Sequence, residues 1–238
     1  MMKIIAPGTE ISGVFMIRHS VMILNDRISG CKTVIPFQDI NWMASVRLFI
    51  ATSLTRSIKK RIEKLLLDLK SSLDVRNVRW VKPPGIHLTF KFLGDTSLEQ
   101  VPEIQKIMDN IAMGYAPFHF SVEGISCFPN CKRPRVIWIG VEEKTGALQN
   151  LQEKIELAMV DLGFPEEGRS FHPHLTLGRI RNHVRKSERK NLGETISDFP
   201  SIQIGDQILE AISLIKSDLQ PSGAVYTHLC TSKLRGEN

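Results

Sequence analysis

One phrase occurs twice in this chain of 238 residues: His87-Leu88-Thr89-Phe90 in its first half and His174-Leu175-Thr176-Leu177 in its second. In an extended strand, side chains at i and i+2 leave the same face. The histidine and threonine of each phrase therefore point together, while Leu88, Phe90, Leu175 and Leu177 point the other way. The stretch from Ile86 to Phe92 alternates as a half-buried strand should. Each half of the chain must then supply a strand with one buried face and one polar, reactive face.

That pairing constrains the chemistry as well. Histidine titrates near neutrality, so one copy can begin neutral and accept a proton while the other begins protonated and donates one. Displacement at phosphorus places the attacking and leaving oxygens on opposite sides of the phosphoryl group. Two imidazoles facing each other across a cleft meet that requirement, and threonine hydroxyls beside them can donate to phosphate oxygens. No metal or other cofactor is expected. Although His172 and His174 would share a face of a regular strand, no third ligand with fitting spacing accompanies them.

The rest of the sequence supplies a scaffold. After an apolar strand at 45–51, Ile58, Ile62, Leu65, Leu66 and Leu69 recur at helical spacing, with lysines and acids between them. Pro83-Pro84-Gly85 is a turn leading into the first phrase. Leu98, Val101, Ile104, Ile107, Met108 and Ile111 mark a second helix, and strands are expected at 118–122 and 136–141. A third helix spans about 147–162, followed by a loop to Phe171-His172-Pro173-His174. Beyond the second phrase come a short basic helix near 184–194, a strand around 207–217 and another around 224–234. This order suggests an α+β fold of two pseudo-symmetric lobes. Each is an antiparallel sheet with helices on its outer face, and the two enclose a central cleft.

Residues 1–42 differ in character from the remainder of the chain. Their apolar stretches are interrupted by Arg18 and His19, with no cleavage pattern after them. We expect Met43 to be the natural start, with residues 1–42 an N-terminal extension and 43–238 a single bilobal domain; a genuine extra hairpin is the rival reading.

A net charge of +6 favours anionic partners. The basic residues cluster: Lys132, Arg133 and Arg135 in one loop, and Arg169, Arg179, Arg181, Arg185, Lys186, Arg189 and Lys190 around and after the second phrase. Four cysteines, at 31, 127, 131 and 230, do not make a disulfide framework at this length, and Cys127 and Cys131 lack a second pair for zinc. A reducing, cytoplasmic location fits best. No run of about 18 apolar residues supports a membrane span.

Five ordered segments resemble one family. They are Arg47-Leu48-Phe49-Ile50-Ala51, Trp80 to Pro83 leading into 87–94, the run 134–141, Phe171-His172-Pro173-His174 continuing to Arg179, and 217–226. Together they look like the 2H phosphoesterase superfamily, and within it the LigT-like RNA 2′,3′-cyclic phosphodiesterases once called 2′-5′ RNA ligases. The resemblance covers essentially 43–238. It implies metal-independent hydrolysis of an RNA terminal 2′,3′-cyclic phosphate to a 2′-phosphomonoester, tRNA fragments being among such RNA ends, by a monomer in the cytoplasm. By position, His87 resembles the general acid and His174 the general base. Thr89 and Thr176 would bind the nonbridging oxygens, and Arg179, with Arg135 as a second candidate, would clamp the phosphate. Phe128, Trp138 and Phe171 are available to stack a base, although the alternating apolar strand around Trp138 favours core packing for it. His119, His183 and His228 have no motif around them and are expected at the surface or in packing. Two rival functions use the same residues: an RNA-binding module without chemistry, and a 2′-5′ ligase.

Overall fold

The computed structural model describes residues 21–25, 32–36, 45–221 and 223–237. The proposed start at Met43 lies outside the described residues, as do Cys31 and His19. Within residues 1–42, β1 (Val21–Asn25) and β2 (Lys32–Pro36) pair antiparallel as a separate two-stranded sheet.

The remaining elements run in order as β3 (Ser45–Ser53), α1 (Arg56–Ser72), β4 (Val78–Trp80), β5 (His87–Ser97), α2 (Val101–Met113), β6 (Phe118–Phe128) and β7 (Val136–Glu142). They continue with α3 (Ala147–Asp161), β8 (His174–Ile180), α4 (Lys186–Ser197), β9 (Gln203–Leu209), β10 (Ala211–Gln220) and β11 (Gly223–Lys233). The strand expected at 207–217 is two strands, broken at Glu210, so that β9 serves one half of the molecule and β10 the other.

The strand order β11-β10-β3-β5-β8-β7-β6-β9, with β4 added beside β8, makes an antiparallel sheet in two halves. The first half ends at β5 and the second begins at β8. These two central strands, which carry the two phrases, meet at one register pair, Leu88 opposite Leu175. Both leucines are fully buried, as is Leu177, and Phe90 is nearly so. The face expected to be core is therefore core in both halves.

Helices cover that face. Ile58, Ile62, Leu65, Leu66 and Leu69 of α1 are all buried, and Thr55 caps its start by accepting from the Ile58 amide at 3.4 Å. Met108 of α2, Ile155 of α3 and Ile196 of α4 join the same continuous apolar cluster as Leu88 and Leu175. One core thus serves both halves, and the opposite face of the sheet is left open for a site.

Strict alternation fails just after each threonine. Along β5, Thr89 lies opposite Ala51 but Lys91 lies opposite Ile50, so Phe90 is an extra residue. Along β8, Thr176 lies opposite Trp138 but Gly178 lies opposite Ile137, so Leu177 is extra. Such bulges reverse which face the following residues meet. Lys91 is turned into the core at 3% exposure, and Phe92, which unbroken alternation would bury, is 62% exposed. The corresponding residue of the second half is Arg179, also exposed.

Buried Lys91 has two acceptors. Its Nζ donates to Glu156 Oε1 of α3 at 2.5 Å and to the Pro165 carbonyl at 2.6 Å, and the Glu167 amide donates to the same carboxylate at 2.8 Å. This network ties the strand of the first phrase to the loop that precedes the second.

Candidate active site

The antiparallel pairing of Leu88 with Leu175 fixes where the four polar side chains of the phrases fall. One step along that register sets His87 across from Thr176 and Thr89 across from His174, all on the face away from the core. The two histidines thus lie diagonally about that single pair. The four side chains are half-buried, neither sealed in the core nor fully in water. The structure thus brings His87, Thr89, His174 and Thr176 together on one patch.

Each imidazole is anchored in the same way. His174 Nδ1 lies 2.7 Å from the His172 carbonyl oxygen, which can only accept, so Nδ1 carries the proton. The His87 ring likewise donates to the carbonyl of Gly85, two residues before it. For His174 this leaves Nε2 of the neutral ring as an acceptor. His172, raised as half of a metal pair, instead contributes its backbone. Among the described residues no group of three His, Cys, Asp or Glu side chains is placed to hold a metal ion.

Aromatic rings pack around both histidines. Phe49 of β3 stacks on His87 with centroids 4.6 Å apart, and Tyr226 of β11 meets the same ring edge-on at 5.1 Å. Gly85 permits that approach, since a Cβ there would lie 3.0 Å from the Tyr226 ring. Around His174, Phe128 sits edge-on at 4.8 Å and Trp138 at 6.1 Å, and these two stack on each other at 4.8 Å. Trp138 therefore lines the site, contrary to the core role its apolar strand suggests. Alternation along β7 buries Ile137 and Ile139 and turns Trp138, opposite Thr176, to the open face. Phe171 instead packs against the core, its ring 6.4 Å from Phe90.

These surroundings disfavour charge on both imidazoles. Burial pulls the His87 pKa down from 6.5 to about 4; the bond to Gly85 opposes this, and the charges of Lys59 and His228 add to it. Burial also lowers His174, against its bond to His172 and with help from Arg179 and His172. In the free protein at neutral pH both rings are therefore neutral. An anion bound between them would reverse the balance by favouring an imidazolium.

Cations flank the pair. Arg179 acts on His174 and, across the patch, on Tyr226, whose hydroxyl also senses Arg79. Arg79 of β4 is the cross-strand partner of Arg179. Lys59, in the first turn of α1, donates to the Pro84 carbonyl at 3.4 Å. Arg135 is exposed; its amide donates to the Phe128 carbonyl at 2.7 Å, and its carbonyl accepts from the Ile180 amide at 2.8 Å. Sequence reasoning missed Phe49, Lys59, Arg79 and Tyr226, and it set His228 aside. The alternation of Arg47-Leu48-Phe49-Ile50-Ala51 carried a signal for Phe49, because Ala51, on the same face, pairs with Thr89. For the others nothing local marks them.

Two half-site strands related by pseudo-symmetry, each presenting a histidine and a threonine to one open patch, define a phosphoesterase of the two-histidine class in form. The family described as LigT like Phosphoesterase matches the chain twice, over residues 53–138 and 139–226, one match for each phrase. The chain is 33% identical over 184 residues to the RNA 2′,3′-cyclic phosphodiesterase of Methanothermobacter thermautotrophicus, covering 77% of this chain and 96% of that protein. It is also 33% identical over 187 residues to the protein of the same name from Aquifex aeolicus, covering 78% and 95%. Among solved structures, TT0787 of Thermus thermophilus superposes with a TM-score of 0.65 at 28% identity, covering 81% of this chain and all of that one. Escherichia coli LigT complexed with 3′-AMP shares the fold at a TM-score of 0.64 and 22% identity, covering 80% and 98%. The chain belongs to the LigT-like phosphoesterase family.

Proposed function

We propose that the protein hydrolyses the 2′,3′-cyclic phosphate at the end of an RNA, without a metal, to a 2′-phosphomonoester. The observation that carries this reading is the diagonal pair of histidines, each with a ring N–H tied to the carbonyl two residues back, beside two threonines. The curated relatives bearing that activity in their names support the substrate.

In this mechanism His174 Nε2 accepts a proton from water as the water oxygen attacks phosphorus. The bond from phosphorus to the 3′ oxygen breaks, and His87, protonated in the complex, gives its proton to that oxygen. The phosphate stays on the 2′ oxygen. Thr89 and Thr176 donate to the nonbridging oxygens, and Arg179 adds positive charge as negative charge shifts during displacement. The low proton affinity of His87 in the free protein suits a general acid, because a weakly held proton leaves readily once the anionic substrate has brought it in.

The test is to incubate the purified protein with RNA ending in a 2′,3′-cyclic phosphate, with a chelator present, and to identify the hydroxyl that keeps the phosphate. A 2′-phosphate product, lost in His87→Ala and in His174→Ala while both variants retain the native circular dichroism, is expected. A 3′-phosphate product, a rate abolished by the chelator, or full activity in either variant would overturn the mechanism.

A further inference from the structure

The basic loop before β7 and the basic start of α4 are far apart in sequence, yet the fold joins them. Arg189 of α4 is the fastener: its Nη1 donates to the Pro134 carbonyl at 3.0 Å and its Nη2 to the Arg181 carbonyl at 3.2 Å. Gly193, one turn further along α4, lies so close to the same loop that a Cβ there would fall 1.7 Å from the Cys131 carbonyl oxygen. The Ile180 amide bonds to the Arg135 carbonyl at 2.8 Å, which completes the seam.

Lys132, Arg133, Arg135, Arg181, Arg185 and Lys186 are consequently gathered on one surface, and all six are exposed. None forms an ion pair among the described residues. The nearest acid along the chain, Glu188, is engaged in capping α4 through the Arg185 amide at 3.1 Å. Six like charges held together by backbone bonds rather than by counter-charges repel one another, and an anionic partner relieves that repulsion.

The strip also reaches the active site at two points. Phe128, edge-on to His174 at 4.8 Å, ends the strand that leads into the basic loop, and its carbonyl accepts from the Arg135 amide at 2.7 Å. Arg179, beside His174, is two residues from Arg181 on the other side. A polyanion leaving the histidine pair on the His174 side meets these cations next. The half that carries His87 offers instead exposed Phe92 and half-buried Tyr226, with Lys59 as the cation acting on His87.

We propose that this strip is a second binding surface, which holds the sugar-phosphate backbone of the RNA strand behind its terminal nucleotide and directs that strand over the α4 side of the molecule. The proposal rests on the hydrolytic function above and adds to it: the active site handles the end, and the strip supplies affinity for length. Arg135 then belongs to the strand rather than to the reacting phosphate.

The experiment compares wild type with the triple variant Lys132→Gln/Arg133→Gln/Lys186→Gln. Two readouts are needed: kcat/KM for a nucleoside 2′,3′-cyclic monophosphate, and both Kd and kcat/KM for an RNA of about 12 nucleotides with a cyclic phosphate end. For single strands, each neutralised phosphate contributes about 0.7 to the slope of log affinity against log salt. Losing three contacts should lower the slope by about 2, so that wild-type affinity falls about 20-fold more than the variant's between about 50 and 200 mM salt. Turnover of the mononucleotide should be unchanged. If the variant keeps the wild-type salt slope, or if wild type gains nothing from length, the strip is not an RNA surface. If an acidic peptide of equal charge competes as well as RNA, the partner is of another class. If neither substrate turns over, the proposed function fails, and the binding measurement still decides the strip.

Discussion

Histidine 87 links the stability of the fold to the chemistry of its site, and the link can be measured by lowering the pH. Its pKa stands at 6.5 when unperturbed and at about 4 in the folded protein, chiefly through burial. Between those values the unfolded chain binds a proton that the folded protein binds weakly, so unfolding is favoured as pH falls. The contribution is fully present above pH 6.5, is lost progressively down to about 4, and changes no further below it. At about 1.4 kcal/mol per pH unit, wild type should lose about 3 kcal/mol between pH 7 and pH 4 from this residue alone. His87→Gln keeps a donor for the Gly85 carbonyl but does not titrate. Denaturant unfolding of both proteins at pH 7 and pH 4 removes contributions common to the two, leaving a difference of about 3 kcal/mol. Parallel loss of stability in the two proteins would refute the account and return His87 to an ordinary solvated histidine. The same weak proton affinity is what the proposed reaction needs, since a bound phosphodiester anion must raise it before His87 can donate.

Other outcomes rest on the same geometry. Because both histidines are depressed in the free protein, the bell-shaped profile of kcat/KM should peak on the acid side of 6.5; that of kcat, measured with anionic substrate bound, should lie at higher pH, and coincident profiles would contradict this. Thr89→Val and Thr176→Val should each lower kcat/KM by about 100-fold without changing the melting temperature, as expected for lost donors to a phosphate oxygen. Glu156→Ala leaves the Lys91 ammonium buried without its carboxylate and should destabilise the protein by about 3–5 kcal/mol in denaturant unfolding, while Lys91→Met/Glu156→Leu should recover most of that loss. Gly193→Ala drives a Cβ into the Cys131 backbone and should cost about 1–3 kcal/mol or more in the same assay, with a loss of RNA affinity through the displaced basic loop.

Much of the architecture lies in local pattern. The spacing of Ile58, Ile62, Leu65, Leu66 and Leu69 requires an amphipathic helix, and the observed α1 buries these five residues. The position of a threonine two residues after each histidine requires that they share a strand face, and the two leucines following the histidines are fully buried on the other. Those features depend on neighbours within a few positions of the chain.

Local spacing along the chain is enough to divide each phrase into a reactive face and a core face and to mark the helices that cover the latter. The folded arrangement alone pairs Leu88 with Leu175 and so sets four polar side chains from two halves on one patch. It also sets the bulge after Thr89, which buries Lys91 and exposes Phe92 against the alternation, and the bulge after Thr176, which buries Gly178 and exposes Arg179. It brought Phe49, Lys59 and His228 to His87, and Arg189 to the loop it fastens. The reason is physical: strand faces and helix stripes follow from the period of the backbone, whereas register, bulges and the proton affinity of a buried ring are set by partners distant in sequence.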